Sequence, residues 1–148
     1  MGAARAVVLC VDDEPHNLDL LDRALRRRFE VVTEALPSAA LAALELRPEI
    51  AVLVVDFRMP GMNGVELLAR AAQLRPDVRR VLVTGYADAD TVMAAVNNGG
   101  VHYVVRKPWR PPELVTLVAE LVHARELAVE NQRLVEELAQ EPAITVLS

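Results

Sequence analysis

The sequence predicts an α/β fold: a doubly wound parallel sheet of five strands, extended at the C-terminus by a long helix. Three observations carry this expectation. Five short apolar runs alternate along the chain with five segments of helical periodicity. The middle run, Ile50 to Asp56, is β-branched and uninterrupted, the pattern of a strand buried on both faces in a parallel sheet. It ends in a single carboxylate, Asp56, followed by Met59-Pro60-Gly61 and Asn63-Gly64. An acid there sits at the carboxyl edge of the sheet, where open α/β folds place their chemistry.

The elements follow in order. Ala6 to Val11 is the first strand and ends at Asp12-Asp13-Glu14. Pro15 suits the first turn of a helix, with Asp13 or Glu14 near its cap. Leu18, Leu21, Leu25 and Phe29 recur at helical spacing and give that helix its core face. Phe29 to Thr33 is a short second strand, and a second helix runs from Pro37-Ser38 through Leu46, closed by Pro48. After the central strand, Gly64 to Leu74 is the third helix, with Val65, Leu68 and Ala72 inward and Pro76 closing the segment. Val81 to Thr84 is the fourth strand, and Gly85 lets the chain turn. Asp88 caps a fourth helix that carries Val92, Met93 and Val96 and stops at Asn98-Gly99-Gly100. Val101 to Arg106 is the fifth strand, Lys107-Pro108 follows, and Pro111-Pro112-Glu113 opens the fifth helix.

Composition narrows the function. The 148 residues are 53% hydrophobic and 25% charged, enough to bury the core of one ordinary domain with a small appendage. Aromatics at 3% argue against a stacking platform for single-stranded nucleic acid. With a net charge of −5, no patch is basic enough to hold a phosphate backbone, so no direct nucleic-acid contact is expected. Arg26-Arg27-Arg28 reads as a helix C-terminal cap. Cys10 is the only cysteine, so no intrachain disulfide can form. No signal peptide and no membrane-length apolar stretch is legible, and the expectation is a cytoplasmic protein.

A five-stranded sheet in the flavodoxin-like order 2-1-3-4-5 sets strands one and three side by side at the switch point. Asp12 and Asp13 then meet Asp56 across the crevice, with Thr84 and Lys107 closing it from strands four and five. Three carboxylates in one pocket repel unless a cation sits among them. Hard oxygen donors suit Mg2+, which binds a few carboxylates, waters and a phosphate. Lys107 and Thr84 can each meet a phosphoryl oxygen, and a carboxylate so placed can attack phosphorus to give an acyl phosphate.

These residues resemble the receiver domain of bacterial two-component response regulators. The likeness lies in the acid pair of VDDE, the D-x-x-M-P-x-x-x-G pattern from Asp56 to Gly64, Thr84-Gly85 and Lys107-Pro108, spread over about Val7 to Ala124. The resemblance implies that Asp56 accepts phosphate from a phosphohistidine on a sensor histidine kinase. It implies that Asp13 binds magnesium directly, Asp12 mainly through water, and the backbone carbonyl of Arg58 as a further ligand. Thr84 and Lys107 would take up the phosphoryl group, and the Lys107-Pro108 peptide would be cis. The implied role is a signalling switch rather than an enzyme, although the domain takes part in its own phosphorylation and dephosphorylation. The alternative is a phosphorylation-independent receiver-like module for interaction or dimerisation. A metal-dependent phosphatase fits less well, because its nucleophile follows strand one in a D-x-D pattern. One departure stands out: relatives carry Tyr or Phe three residues before the lysine, and this chain has Val104, with Tyr103 beside it. Either the aromatic switch is absent, or a bulge lets Tyr103 take the place. Arg58 and Tyr86, two residues beyond Asp56 and Thr84, are placed to overhang the phosphoryl group and slow its hydrolysis.

The expected organisation is a receiver over 1–124, a helical, coiled-coil-like extension over 125–141 and a tail over 142–148. Ala124, Leu127, Asn131, Leu134 and Leu138 fall on alternating three- and four-residue steps until Pro142. Leucines around a lone asparagine suit a parallel two-stranded seam, so a homodimer through this helix is expected, with Glu130 and Arg133 placed to pair across it. No output domain fits after helix five, which leaves either a stand-alone regulator or a piece of a longer one.

Overall fold

The computed structural model describes residues 5–95 and 100–140. Five parallel strands form one sheet in the order β2-β1-β3-β4-β5. They are β1 (Val7–Val11), β2 (Glu30–Glu34), β3 (Ile50–Asp56), β4 (Arg79–Thr84) and β5 (Tyr103–Arg106). Between and after them run α1 (Pro15–Leu25), α2 (Pro37–Leu46), α3 (Gly64–Leu74), α4 (Ala89–Ala95) and α5 (Pro111–Gln140).

Burial explains the order. Every residue of β1 and of β3 is buried, as the unbroken apolar run of β3 requires, whereas the edge strands β2 and β5 are largely polar or half-exposed. One face of the sheet packs against α2, α3 and α4 through Leu44, Leu67, Leu68 and Val92. The other packs against α1 and α5 through Leu21, Leu25, Leu114 and Val118. Helix α3 begins with a reciprocal cap: Asn63 Oδ1 accepts from Glu66 N–H at 2.9 Å, and Glu66 accepts from Asn63 N–H.

Several boundaries depart from the periodicity. Phe29 is buried, but it belongs to the turn ending α1, and β2 begins one residue later. Strand β4 starts at Arg79 rather than Val81. Arg79 and Arg80 take ladder positions opposite Val52 and Leu53, and the buried Arg80 guanidinium donates to the carbonyls of Gly100 and Val78, each at 2.9 Å. Helix α3 buries Gly64, Leu67, Leu68 and Ala71, with Val65 and Ala72 only half-buried. Met93 points to solvent at 55% exposure, while its neighbour Val92 is buried. Leu18 is half-buried against the α1–α5 core. Val96, Asn98-Gly99, Pro142 and the 142–148 tail lie outside the described residues, as does residue 141 of the extension.

At the end of the sheet away from the strand C-termini, three charged groups lock α5 down. Arg75 and Arg125 both bind Asp77 Oδ2 at 2.9 Å, and Arg125 also reaches the carbonyl of Pro48 at 3.2 Å. Arg75 donates in addition to the carbonyls of Leu44, Arg47, Pro48 and Ile50. The two guanidinium groups hold the Asp77 carboxyl down at about 2. Beyond Arg125, every described residue of α5 is exposed.

Candidate functional site

Asp56 closes β3, and its 6% exposure leaves only an edge of the carboxylate open. Lys107, delivered from the end of β5, brings Nζ to 2.5 Å from Asp56 Oδ1. The Arg58 N–H donates to Oδ2 at 3.0 Å. Both oxygens are thus engaged by positive or donor groups, which keeps an ionised carboxylate tenable at such burial. Backbone bonds fix the frame: Phe57 N–H to the Val83 carbonyl and Lys107 N–H to that of Thr84, each at 2.9 Å. The Lys107-Pro108 peptide is cis.

Asp12 directly follows β1 beside this pair with 2% exposure, and its Oδ1 accepts from Glu14 N–H at 2.9 Å. Burial raises its pKa, and the charge of Asp56 adds to that. Thr84, 1% exposed, spends its hydroxyl on a long bond to the Gly85 carbonyl at 3.3 Å. Asp12, Asp56, Lys107 and Trp109 line a cleft of about 490 Å³ whose walls come from α1 and the loop after β5. Asp13 is exposed and lines a neighbouring hollow with Arg58, Met59 and Asp88.

The sheet therefore brings together Asp12, Asp56, Thr84 and Lys107. Among the described residues no three of His, Cys, Asp and Glu are already grouped as a metal cage, so the expected triad is not preassembled. The donors still suit a hard cation that arrives with its own waters. A buried Asp12, its charged form disfavoured by burial and by the charge of Asp56, is relieved by positive charge, and Asp13 and Arg58 line the neighbouring hollow.

Other expected positions fall differently. The β4–β5 register is regular, pairing Leu82 with Val104 and Val83 with Val105, so no bulge moves Tyr103 into the place of Val104. Val104 packs on the α2–α3–α4 face, and Val105 on the α1–α5 face. Alternation puts Tyr103 on the side of Val105, and it is 52% exposed. Asp88 precedes α4, but both its carboxylate oxygens are taken by Arg58 rather than by the helix N-terminus. Arg58 accordingly leans away from Asp56, while the side chain of Tyr86 is not among the described ones. His102 ties β4 to the segment before β5: its Nδ1 accepts from Arg80 N–H at 2.9 Å, and burial with the nearby Arg80 charge holds its pKa down to about 4. On the α5 extension, Leu127, Leu134 and Leu138 are exposed at 59%, 44% and 64%, and Asn131 is exposed between them. Glu130 and Arg133 pair within the helix, at 2.5 Å.

The Arg58–Asp88 contact is the feature the sequence did not disclose. A basic residue two positions after the acid was visible, but not its partner thirty positions on.

Among the described residues no helix is long and apolar enough to cross a membrane. Residues 8–119 match the model of the response regulator receiver domain. The chain is 38% identical over 134 residues to the hydrogenase transcriptional regulatory protein HoxA of Cupriavidus necator, covering 90% of this chain and 28% of that protein. It is 30% identical to the C4-dicarboxylate transport transcriptional regulatory protein DctD of Pseudomonas aeruginosa, covering 88% of this chain and again 28% of the relative. The chain thus spans under a third of the length of these curated relatives. Among solved structures, a CheY-like response regulator receiver domain protein from Methanospirillum hungatei superposes with a TM-score of 0.75 at 29% identity, over 85% of this chain and 99% of that one. A match of this extent, with acids, hydroxyl and lysine on the strand ends of the same sheet, places the chain in the family of response regulator receiver domains.

Proposed function

We propose that Asp56 accepts a phosphoryl group from the phosphohistidine of a sensor histidine kinase, in a magnesium-dependent step that alters the protein contacts of the domain. The observation that carries this reading is the buried Asp56 carboxylate held between Lys107 Nζ and the Arg58 N–H. In the transfer, an Asp56 oxygen forms a bond to phosphorus as the P–N bond to the imidazole breaks. The leaving imidazole takes a proton from solvent. Lys107, released from carrying the carboxylate charge alone, follows it onto a phosphoryl oxygen. Thr84 has a hydroxyl committed only to a 3.3 Å bond and can turn to another. Asp12, Asp13 and the Arg58 carbonyl would hold magnesium, which neutralises charge on the phosphoryl oxygens when bound. A phosphorylation-independent contact module has no use for a buried, ion-paired acid of this kind.

The exposed Leu127, Leu134 and Leu138 with Asn131 support a parallel homodimer through the extension of α5. The likeness to two transcriptional regulators supports a transcriptional output. Incubation with acetyl phosphate and magnesium is the test of the phosphoacceptor. The adduct should be labile to hydroxylamine and absent from Asp56→Asn; wild-type labelling of that variant would remove the assignment.

A further inference from the structure

One ion pair joins the phosphoacceptor loop to the start of α4. Arg58 donates from Nε to Asp88 Oδ2 at 2.6 Å and from Nη2 to Oδ1 at 2.7 Å. Its backbone N–H is meanwhile bonded to Asp56 Oδ2 at 3.0 Å. The arm that grips Asp88 is therefore rooted on the residue that touches the acceptor carboxylate. The grip is a weak one, because the Arg58 side chain is 73% exposed, although that of Asp88 is only 13% exposed.

The position matters because the aromatic switch that the resemblance implies at residue 104 is lacking. Val104, on the α4 side of β5, carries no ring, and Tyr103 lies on the opposite face in an unbroken register. A phosphoryl group on Asp56 would still have to be felt at α4.

We propose that Arg58 is a two-position arm, holding Asp88 while Asp56 is bare and turning to the phosphoryl group once Asp56 is phosphorylated, so that Asp88 and the first turn of α4 are set free. The inference rests on Asp56 being the phosphoacceptor. A phosphoryl group offers nearly two charges and three acceptor oxygens where Asp88 offers one charge, and the planar fork of Arg serves one anion bidentately along a given edge. Asp13 borders the same hollow as Arg58 and Asp88, but in the magnesium-bound domain its charge would go to the metal. Arg58 is thus a positioning residue, acting on α4 through Asp88.

Amide spectra of the full chain with magnesium, with and without beryllofluoride as phosphoryl mimic, test this in wild type, Asp88→Asn, Arg58→Ala and Arg58→Lys. In wild type the mimic should shift Phe57 and Arg58 and also Ala89 to Met93. In Asp88→Asn the α4 amides should already stand, without mimic, near the positions wild type reaches with it, and the mimic should move them less than half as far. Arg58→Ala should behave alike, and Arg58→Lys should restore part of the response, which loss of packing alone would not predict. If Phe57 and Arg58 shift but α4 in Asp88→Asn starts and moves as in wild type, the arm is refuted and the phosphoacceptor stands. If the mimic leaves Phe57 and Arg58 of wild type unmoved, the phosphoacceptor reading fails and the arm falls with it.

Discussion

Gly64 stands so close behind Asp56 that a β-carbon on it would lie 2.5 Å from the Asp56 carbonyl oxygen. The same atom would come within 2.7 Å of Leu82 Cδ1. Its N–H is bonded to the Phe57 carbonyl at 2.8 Å, so the backbone of the acceptor loop rests directly on the first turn of α3. A side chain here must push that loop, since backbone cannot give way as a flexible side chain can.

Gly64→Ala should therefore cost roughly 1–3 kcal/mol of stability and slow phosphorylation at Asp56. Gly85→Ala is the control, because a β-carbon there meets nothing within 4 Å. Urea unfolding of the two variants checks it: coincident midpoints would show that close approach is not what the glycine at 64 serves.

Asp12 is buried next to Asp56, and burial disfavours its charged form. Asp12→Asn keeps an oxygen for the Glu14 N–H and should stabilise the metal-free domain at pH 7. The sign follows from a folded pKa raised above the ordinary 3.8. Wild type loses stability as pH rises through that interval, so the advantage of the variant is full above it and fades below about pH 4. Magnesium should raise the unfolding midpoint of wild type more than that of the variant. Urea titrations at pH 7 and pH 3.5, with and without the ion, measure both effects.

The Asp77 clamp has the opposite dependence. Its pKa is depressed to about 2, so its contribution is present above 3.8 and lost as pH falls through 2. Asp77 is a third exposed, and screening reduces the contribution to about 1 kcal/mol. Asp77→Asn should lower stability by that amount at pH 7 and converge with wild type in strong acid. Equal midpoints at pH 7 would show that the two arginines are held by the surrounding carbonyls alone.

Truncation after Arg125 should abolish the proposed dimer. Among the described residues nothing covers the exposed leucines of the extension, and a seam of two heptads is marginal without the nucleus that α5 provides. Sedimentation at tens of micromolar, with the phosphate mimic present, compares the two chains. Equal monomeric masses would leave the seam without support.

The central strand, the ends of α2 and α3 and the acids at strand ends were legible because each is a local pattern. Seven consecutive apolar or terminal positions of β3 leave few alternatives, and a strand end carries its last residue to the sheet edge. What escaped was decided at a distance. Two arginines at the start of β4 read as loop until the carbonyls of Gly100 and Val78 receive one of them. Asp88 read as a helix cap because capping is the local option, whereas a guanidinium thirty residues earlier makes the better offer. Met93 shared the helical spacing of Val92 but not its face toward the core.

Helix α5 has 30 residues, a rod of about 45 Å, and Arg125 grips Asp77 halfway along it. That makes the clamp a fulcrum. The first arm lies on the sheet and begins just after the Lys107-Pro108 turn at the acceptor site; the second reaches out into solvent. A tilt of about 5° about Arg125 would carry the far tip sideways by about 2 Å, close to the amplitude by which helices shift when interfaces switch. A lever with arms of equal length passes on displacement without loss, so a partner gripping the outer half feels as much movement as the phosphorylated end generates.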